Sequence, residues 1–442
     1  MVSADEEDAL RPLWEKPGRV YRVLLIGLLA VVAMGFVAWI IQLRRGLGVT
    51  GLSSSVPWGV YIVNFIFFVG ISYAGTLLSA VLRLVNAEWR RPITRVAEIV
   101  TVASLVIAAS MIFADMGRPG IAPLKIITAG RAESPLIWDV VVLSTYMFAA
   151  LLFLLLPLIP DAARCLDRHP TGQGLRYRLY RWVAMGWIGT ADQRKRLEKA
   201  MGILAVTIIP VAILAHSAVA WIFGVTARPT WNSTIFAPYF VLGAVFSGTA
   251  VIVLVMAAYR RAHGLHAFFT DSHFVKLGYI LLTLNLVYMY FTFSEYWTIG
   301  YTAPATEYQA PLEAILSGAH AWAFWFAILL GMLLPALLVA LPWTRTVGGI
   351  TAASALVVIG MWLKRWIIVV PPLESGLTPA TLGTYGPTWI EWAITAAAVA
   401  ALALVFLLFQ RVFPIIAIWE VEHGQERPPG AAGSPDMAEA VR

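Results

Sequence analysis

Long apolar segments alternate with short polar connections along this chain, and that alternation constrains the fold more than any single motif. Each apolar segment is long enough to cross a bilayer, which takes roughly 20 residues in a helix. Lipid offers no hydrogen-bond partners to open strand edges, so helices are the expected form. The pattern predicts an all-α integral membrane protein with ten transmembrane helices. These are 21–43, 57–84, 94–116, 136–159, 200–225, 235–259, 274–299, 318–342, 347–370 and 387–413.

The composition agrees with a membrane protein and excludes nucleic-acid binding. Only 13% of the residues are charged, whereas about a quarter of a soluble domain is charged. The net charge of +7 comes from Lys and Arg in the connections. The connections on one side of the membrane hold most of these Lys and Arg residues, and the connection 161–199 holds the most. The positive-inside rule then predicts that both termini are cytoplasmic.

The chain is predicted to have one membrane domain with a tail at each end. Residues 1–20 are acidic and then basic, without a cleavage site, and indicate a cytoplasmic tail rather than a signal peptide. Residues 21–420 form the membrane domain. Residues 421–442 are rich in Pro and Gly and are predicted to be a disordered cytoplasmic tail.

Cysteine and histidine usage predicts no redox centre in this chain. Cys165 is the single cysteine, which excludes a disulfide framework and a cysteine-ligated iron–sulfur cluster. A haem needs paired axial histidines within the spans, and only His216 and His320 lie near membrane depth. No zinc-protease, nucleophile-elbow or P-loop motif is present in the sequence. We therefore expect no haem, iron–sulfur cluster or metal site.

Ionisable residues in or beside the spans gather toward the predicted outer face. Because such residues are costly in lipid, their gathering favours a functional site. Asp139 and Glu391 also follow a Trp at a helix start, where an acid complements the helix dipole. In the inner half, Glu98 either faces water or pairs with Arg95. The outer group comprises Asp115, Asp139, His216, Glu295, His320 and Glu391.

The uncharged segment 57–80, PWGVYIVNFIFFVGISYAGTLLSA, carries more polar atoms than a membrane anchor needs. Ser72, Gly75 and Ser79 recur at helical spacing together with Asn64, which is typical of helix packing. Tyr73 is too bulky for close helix approach, and a phenol inside a membrane needs a partner or a ligand.

Protonatable side chains near one interface, with aromatic residues around them, suit a quinone head group. Quinol oxidation releases two protons with two electrons, so the site needs hydrogen-bond partners for both oxygens and a proton route to water. We expect Asp115 and Asp139 to exchange protons with the head group. Tyr73 and His216 are the expected hydrogen-bond partners. Trp58 and Asn64 are predicted to line the pocket.

Six segments in order resemble the NrfD-like (polysulfide reductase membrane subunit) superfamily. The resemblance is to its ten-helix branch, which includes the membrane subunits of alternative complex III and of quinone-linked complexes of sulfate reducers. The segments are 57–80, FADMGRPG at 113–120, WDVVVLSTY at 138–146, the segment 216–240, the segment 273–297 and PTWIEWAI at 387–394.

The resemblance implies a membrane subunit without redox cofactors that binds menaquinone or ubiquinone near the outer face of a prokaryotic cytoplasmic membrane. A ferredoxin-like iron–sulfur subunit is the expected partner. Multihaem cytochrome c and molybdopterin-type subunits are further candidates. The resemblance also implies two four-helix bundles, formed by helices 2–5 and 6–9, with helices 1 and 10 outside them.

The resemblance also assigns site residues. Asp115 precedes the Gly-Arg-Pro turn, Arg118 is the Arg of that turn, and Asp139 is the acid of the Trp-Asp-Val motif. Tyr73 stands where many relatives have a histidine. A proton pathway in the second bundle would use three further residues, Glu295, His320 and Glu391.

Two other function classes remain open at this stage. A secondary transporter would bind its solute at the midplane on broken helices, whereas the polar residues here gather at one face. A structural anchor would hold redox subunits on the membrane without a quinone site. Solute transport by the isolated chain would indicate the first, and the absence of bound quinone in the whole complex would indicate the second.

Overall fold

The computed structural model describes residues 13–168, 174–226, 228, 230–302, 305–375 and 382–420. Within these ranges the chain is helical without strands, and ten helices are long and apolar enough to cross a membrane. The prediction of a ten-helix integral membrane protein is confirmed. The helices are α1 (Arg19–Arg45), α2 (Val60–Leu84), α3 (Arg91–Asp115), α4 (Pro135–Asp167), α5 (Ala191–Gly224), α6 (Phe236–His263), α7 (Asp271–Thr302), α8 (Ala321–Ala340), α9 (Val347–Glu374) and α10 (Trp389–Phe409).

The described connections contain two 3₁₀ helices, Leu47–Val49 and Glu88–Arg90, and three shorter α-helices. These α-helices are Ala122–Ala129 after α3, Leu175–Ala184 after α4 and Ala305–Leu316 after α7. The predicted tail 421–442 and most of the tail 1–20 lie outside the described residues, so the domain division stays a prediction.

Two helices extend well beyond their predicted spans, on the side with the basic connection. The helix α4 continues to Asp167 and α5 already begins at Ala191. Thr190 and Gln193 form a reciprocal capping box that starts α5 outside the apolar segment. The length of an apolar segment indicates only the part of a helix that lies in lipid. The polar turns of α4 and α5 beyond the apolar segments were therefore not predicted.

The helix α2 lies at the centre of the molecule. It packs on α3 and α5, and α4 closes this group into a first ring of α2–α5. It also packs on α6 and α9, and α7 and α8 complete a second ring of α6–α9. The helix α1 packs mainly on α10. The two predicted bundles stay a prediction, because α2 contacts members of both rings.

Small residues allow α2 to approach its neighbours closely. A Cβ atom on Gly75 would collide with the Ala97 carbonyl and the Thr101 hydroxyl of α3. Thr101 Oγ1 also donates a hydrogen bond of 2.9 Å to the Ser72 carbonyl. The predicted packing role of Ser72 and Gly75 therefore agrees with their contacts.

Buried ion pairs join the helix ends on what we call the basic face, where α2 ends and α3 begins. Glu420 accepts hydrogen bonds from Arg83 at 3.0 Å and from Arg90 at 2.7 Å. Burial opposes ionisation of Glu420, but the two guanidinium groups outweigh it and lower the pKa of this carboxyl. Glu98 is buried and pairs with Arg95 at 3.4 Å, which was one of its two predicted roles.

Candidate functional site

Three side chains from different helices of the first ring meet in its interior. The ring centroid of Tyr73 on α2 lies 4.4 Å from that of Tyr146 on α4 and 4.8 Å from that of His216 on α5. None of the three is more than 1% exposed. Tyr73 and His216 were predicted to act together, and the structure brings them into contact.

Several polar atoms at this place have no hydrogen-bond partner. They include the Tyr73 hydroxyl and both ring nitrogens of His216. The Phe240 backbone lies beside the imidazole but outside good hydrogen-bond geometry. Native proteins bond nearly all buried polar groups, and each unsatisfied one costs about 1–3 kcal/mol. Such unpartnered groups are therefore available to a ligand.

Tyr146 has a different role from Tyr73. Its hydroxyl donates to the Ser72 carbonyl at 2.9 Å and also bonds to the Thr76 hydroxyl. These bonds hold α4 against α2 and fix the Tyr146 ring under Tyr73. Tyr146 therefore supports the site without offering a free polar group.

Asp139 lies next to these three side chains, on the side of the molecule away from the basic face. We call that side the opposite face. It lies seven residues before Tyr146, so both point to the same side of α4. Asp139 is buried, its Oδ1 has no hydrogen-bond partner, and it interacts electrostatically with Tyr73. We call Tyr73, Tyr146, His216 and Asp139 the Tyr73 cluster.

An aromatic column connects the opposite face with His216. Trp58 stacks on Trp231 with 5.9 Å between ring centroids, and Trp231 meets Phe223 edge-on at 4.9 Å. Phe223 lies 6.1 Å from Phe240, which in turn lies 5.9 Å from the His216 ring. Trp58 was predicted to line the pocket, and it stands at the outer end of this column.

Asp115 lies in a different environment. It interacts electrostatically with Glu391 and with Tyr61, whose hydroxyl donates to Gln42 at 2.5 Å. Gln42 in turn donates to the Ala114 carbonyl at 2.7 Å. Asp115 thus belongs to the junction of α1, α2, α3 and α10. The structure shows no contact between it and the Tyr73 cluster among the described residues.

Two other predicted site residues also lie away from the cluster. The Asn64 amide donates to Thr395 and accepts from Trp362, each at 2.8 Å, which ties α2 to α10 and α9. Arg118 is exposed in the turn after α3, where Gly117 has a φ of 64°. The structure therefore does not bring Asn64 or Arg118 to Tyr73.

Glu391 is held by several hydrogen bonds at the start of α10. It accepts from the Gly51 backbone at 2.7 Å, from the Thr388 backbone at 2.9 Å and from the Tyr385 hydroxyl at 2.5 Å. Burial and then the charge of Glu391 raise the pKa of Tyr385, so that hydroxyl stays protonated and donates. This geometry is that of a helix-capping acid, the alternative that its position after Trp indicated.

His320 connects to Glu391 through two residues. Its Nδ1 accepts from the Trp366 indole at 3.3 Å, which leaves Nε2 to donate to Glu374 at 2.6 Å. The other Glu374 oxygen accepts from the Tyr385 backbone at 2.6 Å. His320 and Glu391 therefore belong to one polar network at the opposite face.

Glu295 belongs to the second ring. Ser233 donates to one of its oxygens at 2.9 Å, and the other oxygen has no hydrogen-bond partner. The nearby cation is Lys364, which donates to the Tyr296 hydroxyl at 2.8 Å. Glu295 thus stands apart from the network of His320.

Sequence reasoning missed two buried cations, Lys364 and Arg365. Both lie inside α9 and are 2% and 3% exposed. A signal was present, since charged residues inside an apolar span are costly and mark function. Among the described residues, no group of three or more His, Cys, Asp or Glu side chains could hold a metal ion.

Comparisons with known proteins place this architecture in a family. The chain is 28% identical to a Halobacterium salinarum protein named as a dimethyl sulfoxide reductase membrane subunit, over 94% of this chain and 96% of that protein. It is 25% identical to a selenate reductase subunit of Mesobacillus selenatarsenatis, over 90% and 96% of the two chains. It is 24% identical to the Hdr-like menaquinol oxidoreductase integral membrane subunit of Archaeoglobus fulgidus, over 91% and 95%.

The family match covers most of the membrane domain. Residues 48–374 match the family described as polysulphide reductase, NrfD, which includes α2 to α9 and every member of the Tyr73 cluster. The resemblance recognised in the sequence is confirmed, and this integral membrane protein belongs to the NrfD family.

Proposed function

We propose that the chain is the quinone- or quinol-binding membrane subunit of a multisubunit respiratory oxidoreductase. It would exchange electrons between membrane quinone and an adjacent iron–sulfur subunit. The observation that carries this proposal is the set of unpartnered polar atoms in the Tyr73 cluster, at the inner end of an aromatic column. The names of the three relatives support it, since each is a subunit of a reductase or oxidoreductase and one is a menaquinol oxidoreductase.

The side chains of the cluster fit the chemistry of a quinone head group. A bound quinone supplies two-electron, two-proton redox chemistry, and menaquinone and ubiquinone both meet this description. The Tyr73 hydroxyl can donate to a quinone oxygen or accept from a quinol hydroxyl. A neutral imidazole at His216 offers one donor and one acceptor. The aromatic column suits the flat ring and its apolar tail.

Asp139 provides the exit for protons in this proposal. During quinol oxidation the electrons pass to the iron–sulfur subunit, and the two protons must reach water. Asp139 lies on the side of Tyr73 toward the opposite face, and a carboxylate there can take up a proton and release it. Asp115 is the other residue predicted to exchange protons. It would take part in a separate proton-transfer step, because it lies beside Glu391 and not in the Tyr73 cluster.

Partners and location complete the proposal. The basic face would lie toward the cytoplasm in a prokaryotic cytoplasmic membrane, with both termini on that side. The iron–sulfur subunit would be ferredoxin-like, with molybdopterin-type or multihaem cytochrome c subunits as further members. Proton translocation through Glu295, His320 and Glu391 is a further part of the proposal. The linked bonds between His320, Glu374, Tyr385 and Glu391 support the part of this pathway from His320 to Glu391. Glu295 would be a separate group of the second ring, bonded to Ser233.

The test is quinol oxidation by the whole complex carrying Asp139→Asn or Asp115→Asn. A positioned proton acceptor contributes about 10²–10⁴-fold to rate, so Asp139→Asn should lower turnover by at least the lower value. Asp115→Asn should have a smaller effect. The exposed Glu133→Gln change is the matched control, because it neutralises an acid in the connection before α4 without touching the cluster.

The outcome also separates the alternatives. Unaltered turnover in both aspartate variants would remove the assignment of a quinone site to this cluster. A structural anchor predicts that result together with unchanged electron transfer among the other subunits. A secondary transporter predicts solute uptake by liposomes that contain only this chain.

A further inference from the structure

The short helix Leu175–Ala184, which lies between α4 and α5 on the basic face, is fastened along one side to the end of α10. Its Tyr180 hydroxyl donates a hydrogen bond of 2.6 Å to the Val412 carbonyl. Arg176, one turn earlier, donates to the Arg411 carbonyl. Both carbonyls belong to the turn that directly follows α10. The side of the short helix that carries Tyr180 is therefore fixed against the rest of the protein.

These contacts also set the depth of the short helix in the membrane. The helix α10 is apolar up to its last residue, and Leu408 in its final turn is 45% exposed, as a side chain that faces lipid is. The turn after α10 therefore lies where the chain leaves the hydrocarbon and enters a head-group layer about 5–7 Å thick. Arg176 also donates to the Leu13 carbonyl at 3.2 Å, just before α1 begins on the same side. The short helix thus lies at the level of the lipid head groups.

The outward side of the short helix combines apolar and basic side chains. Four exposed residues share this face at helical spacing, namely Leu175, Arg178, Arg181 and Trp182. Leu175 is 83% exposed and Trp182 is 68% exposed, which would leave two large apolar side chains in water if the face pointed into the cytoplasm. The short helix contains no acidic residue. Arginine together with tryptophan at the membrane boundary is a composition that suits an anionic lipid surface.

We propose that this face is a binding surface for anionic phospholipid. Leu175 and Trp182 lie among the head groups, and the guanidinium groups of Arg178 and Arg181 bind phosphate oxygens. A guanidinium binds a phosphate through two parallel hydrogen bonds. A lipid with a net negative charge attracts it more strongly than a zwitterionic lipid does. Because the other side of the short helix is already bonded to the turn after α10, binding orders little additional chain.

This surface is separate from the Tyr73 cluster, so the inference goes beyond the proposed quinone site and does not depend on it. The test is photocrosslinking of lipid by the whole complex in nanodiscs that contain equal amounts of phosphatidylcholine and phosphatidylglycerol. A benzophenone maleimide is attached to the Leu175→Cys variant, on the same face as the two arginines. The native Cys165 is buried, and the chain without the Leu175→Cys change gives the background. Mass spectrometry of the adducts should show phosphatidylglycerol in excess over phosphatidylcholine.

Arg178→Gln combined with Arg181→Gln should remove most of this excess. Each basic residue near an anionic surface contributes about fivefold to the attraction, so the ratio of the two adducts should fall at least about fivefold. Arg131→Gln is the matched control, because it neutralises an exposed arginine at the opposite face, and it should leave the ratio unchanged. Thermal unfolding of the double variant should be unaltered, because both arginines are exposed.

The adducts also decide against the inference where it is wrong. Equal numbers of adducts to the two lipids in the labelled chain would overturn it. Adducts to another subunit or to a second segment of this chain, in place of lipid, would overturn it as well and identify a protein surface. A fall in the ratio with Arg131→Gln as large as with the double variant would show that the overall charge selects the lipid. Arg178→Lys combined with Arg181→Lys keeps both charges and should retain most of the excess.

Discussion

The ring of Tyr73 lies 4.8 Å from the ring of His216, yet no hydrogen bond joins the two side chains. Packing alone holds them in this arrangement, since the polar atoms of both residues remain without partners. Tyr146 below them is fixed by bonds to Ser72 and Thr76. The site therefore combines Tyr146, whose hydroxyl is hydrogen-bonded, with Tyr73 and His216, whose polar atoms have no partner. A bound ligand can supply the missing hydrogen bonds.

Tyr73→Phe should separate ligand binding from stability. The change removes an unpartnered buried hydroxyl, so the free energy of unfolding should stay the same or rise slightly. Quinol oxidation should show a KM increased about fivefold to tenfold, which corresponds to the roughly 1–1.5 kcal/mol of one hydrogen bond to the head group. Steady-state kinetics of the complex and its thermal unfolding in detergent provide the two measurements.

Tyr146→Phe is the matched control for that prediction. It removes the same atom from the neighbouring ring, but this hydroxyl bonds to Ser72 and Thr76. The protein should lose about 1–2 kcal/mol of unfolding free energy, because buried partners are left unsatisfied. An equal loss of stability in both variants would show that the Tyr73 hydroxyl has a protein partner after all.

Glu420→Gln should destabilise the basic face in a pH-dependent manner. Removing one member of a buried ion group leaves Arg83 and Arg90 without their anion, at a cost of about 3–5 kcal/mol. The pKa of Glu420 in the folded protein lies below its ordinary value of 4.5. Its contribution is therefore fully present above pH 4.5 and is lost as the pH falls through the lower folded value.

The measurement is the difference in unfolding temperature between the original chain and Glu420→Gln, followed from pH 8 downward to about pH 3. The difference should stay constant to about pH 5 and shrink below pH 4.5. Glu88→Gln serves as the control, because Glu88 pairs with Arg91 on the same face but is 60% exposed. A surface pair of that kind contributes only about 0–1 kcal/mol.

The ten helices and the gathering of polar residues at one face were predictable because both follow from local chemistry. The length of an apolar segment identifies a membrane span. An ionisable residue inside a span is costly and therefore indicates a function. The helical period also separates two of the predicted site residues. Asn64 and Tyr73 are nine residues apart, which at 3.6 residues per turn places them on opposite sides of α2. Asn64 bonds to Thr395 and Trp362, on the side of α2 away from Tyr73, and its place in the pocket stays a prediction.

Local chemistry could not predict that the two aspartates lie in different environments. Asp115 and Asp139 lie on α3 and α4, and both are near the opposite face. Which neighbour each one meets depends on how α10 and α5 pack around α2, and that is a property of contacts between distant segments. The same reason applies to the buried position of Arg365, which depends on where α9 meets α2 and α6.

Glu391→Gln should reveal whether this residue stabilises the fold or carries protons. The side chain accepts hydrogen bonds from Gly51, Thr388 and Tyr385. A hydrogen bond to a charged group contributes about 1.5–3 kcal/mol, and a neutral amide would keep only part of each contribution. We expect a lower unfolding temperature and nearly unchanged quinol oxidation in the molecules that stay folded. Proton uptake by the complex in sealed vesicles tests the proposed pathway. It should fall in the folded variant, and unchanged proton uptake would leave Glu391 only as a helix-capping acid.

Gly75→Ala tests the close contact between α2 and α3 that supports the whole site. A methyl group there would collide with the Ala97 carbonyl, which belongs to the backbone of α3 and cannot turn aside. The helices would have to separate, at a cost of about 1–3 kcal/mol of unfolding free energy. Separation would also stretch the bond from Thr101 to Ser72, and Ser72 holds Tyr146. Quinone affinity should therefore fall together with stability, as measured by equilibrium binding and thermal unfolding. Gly27→Ala on α1, where a Cβ atom meets nothing within 4 Å, should leave both unchanged.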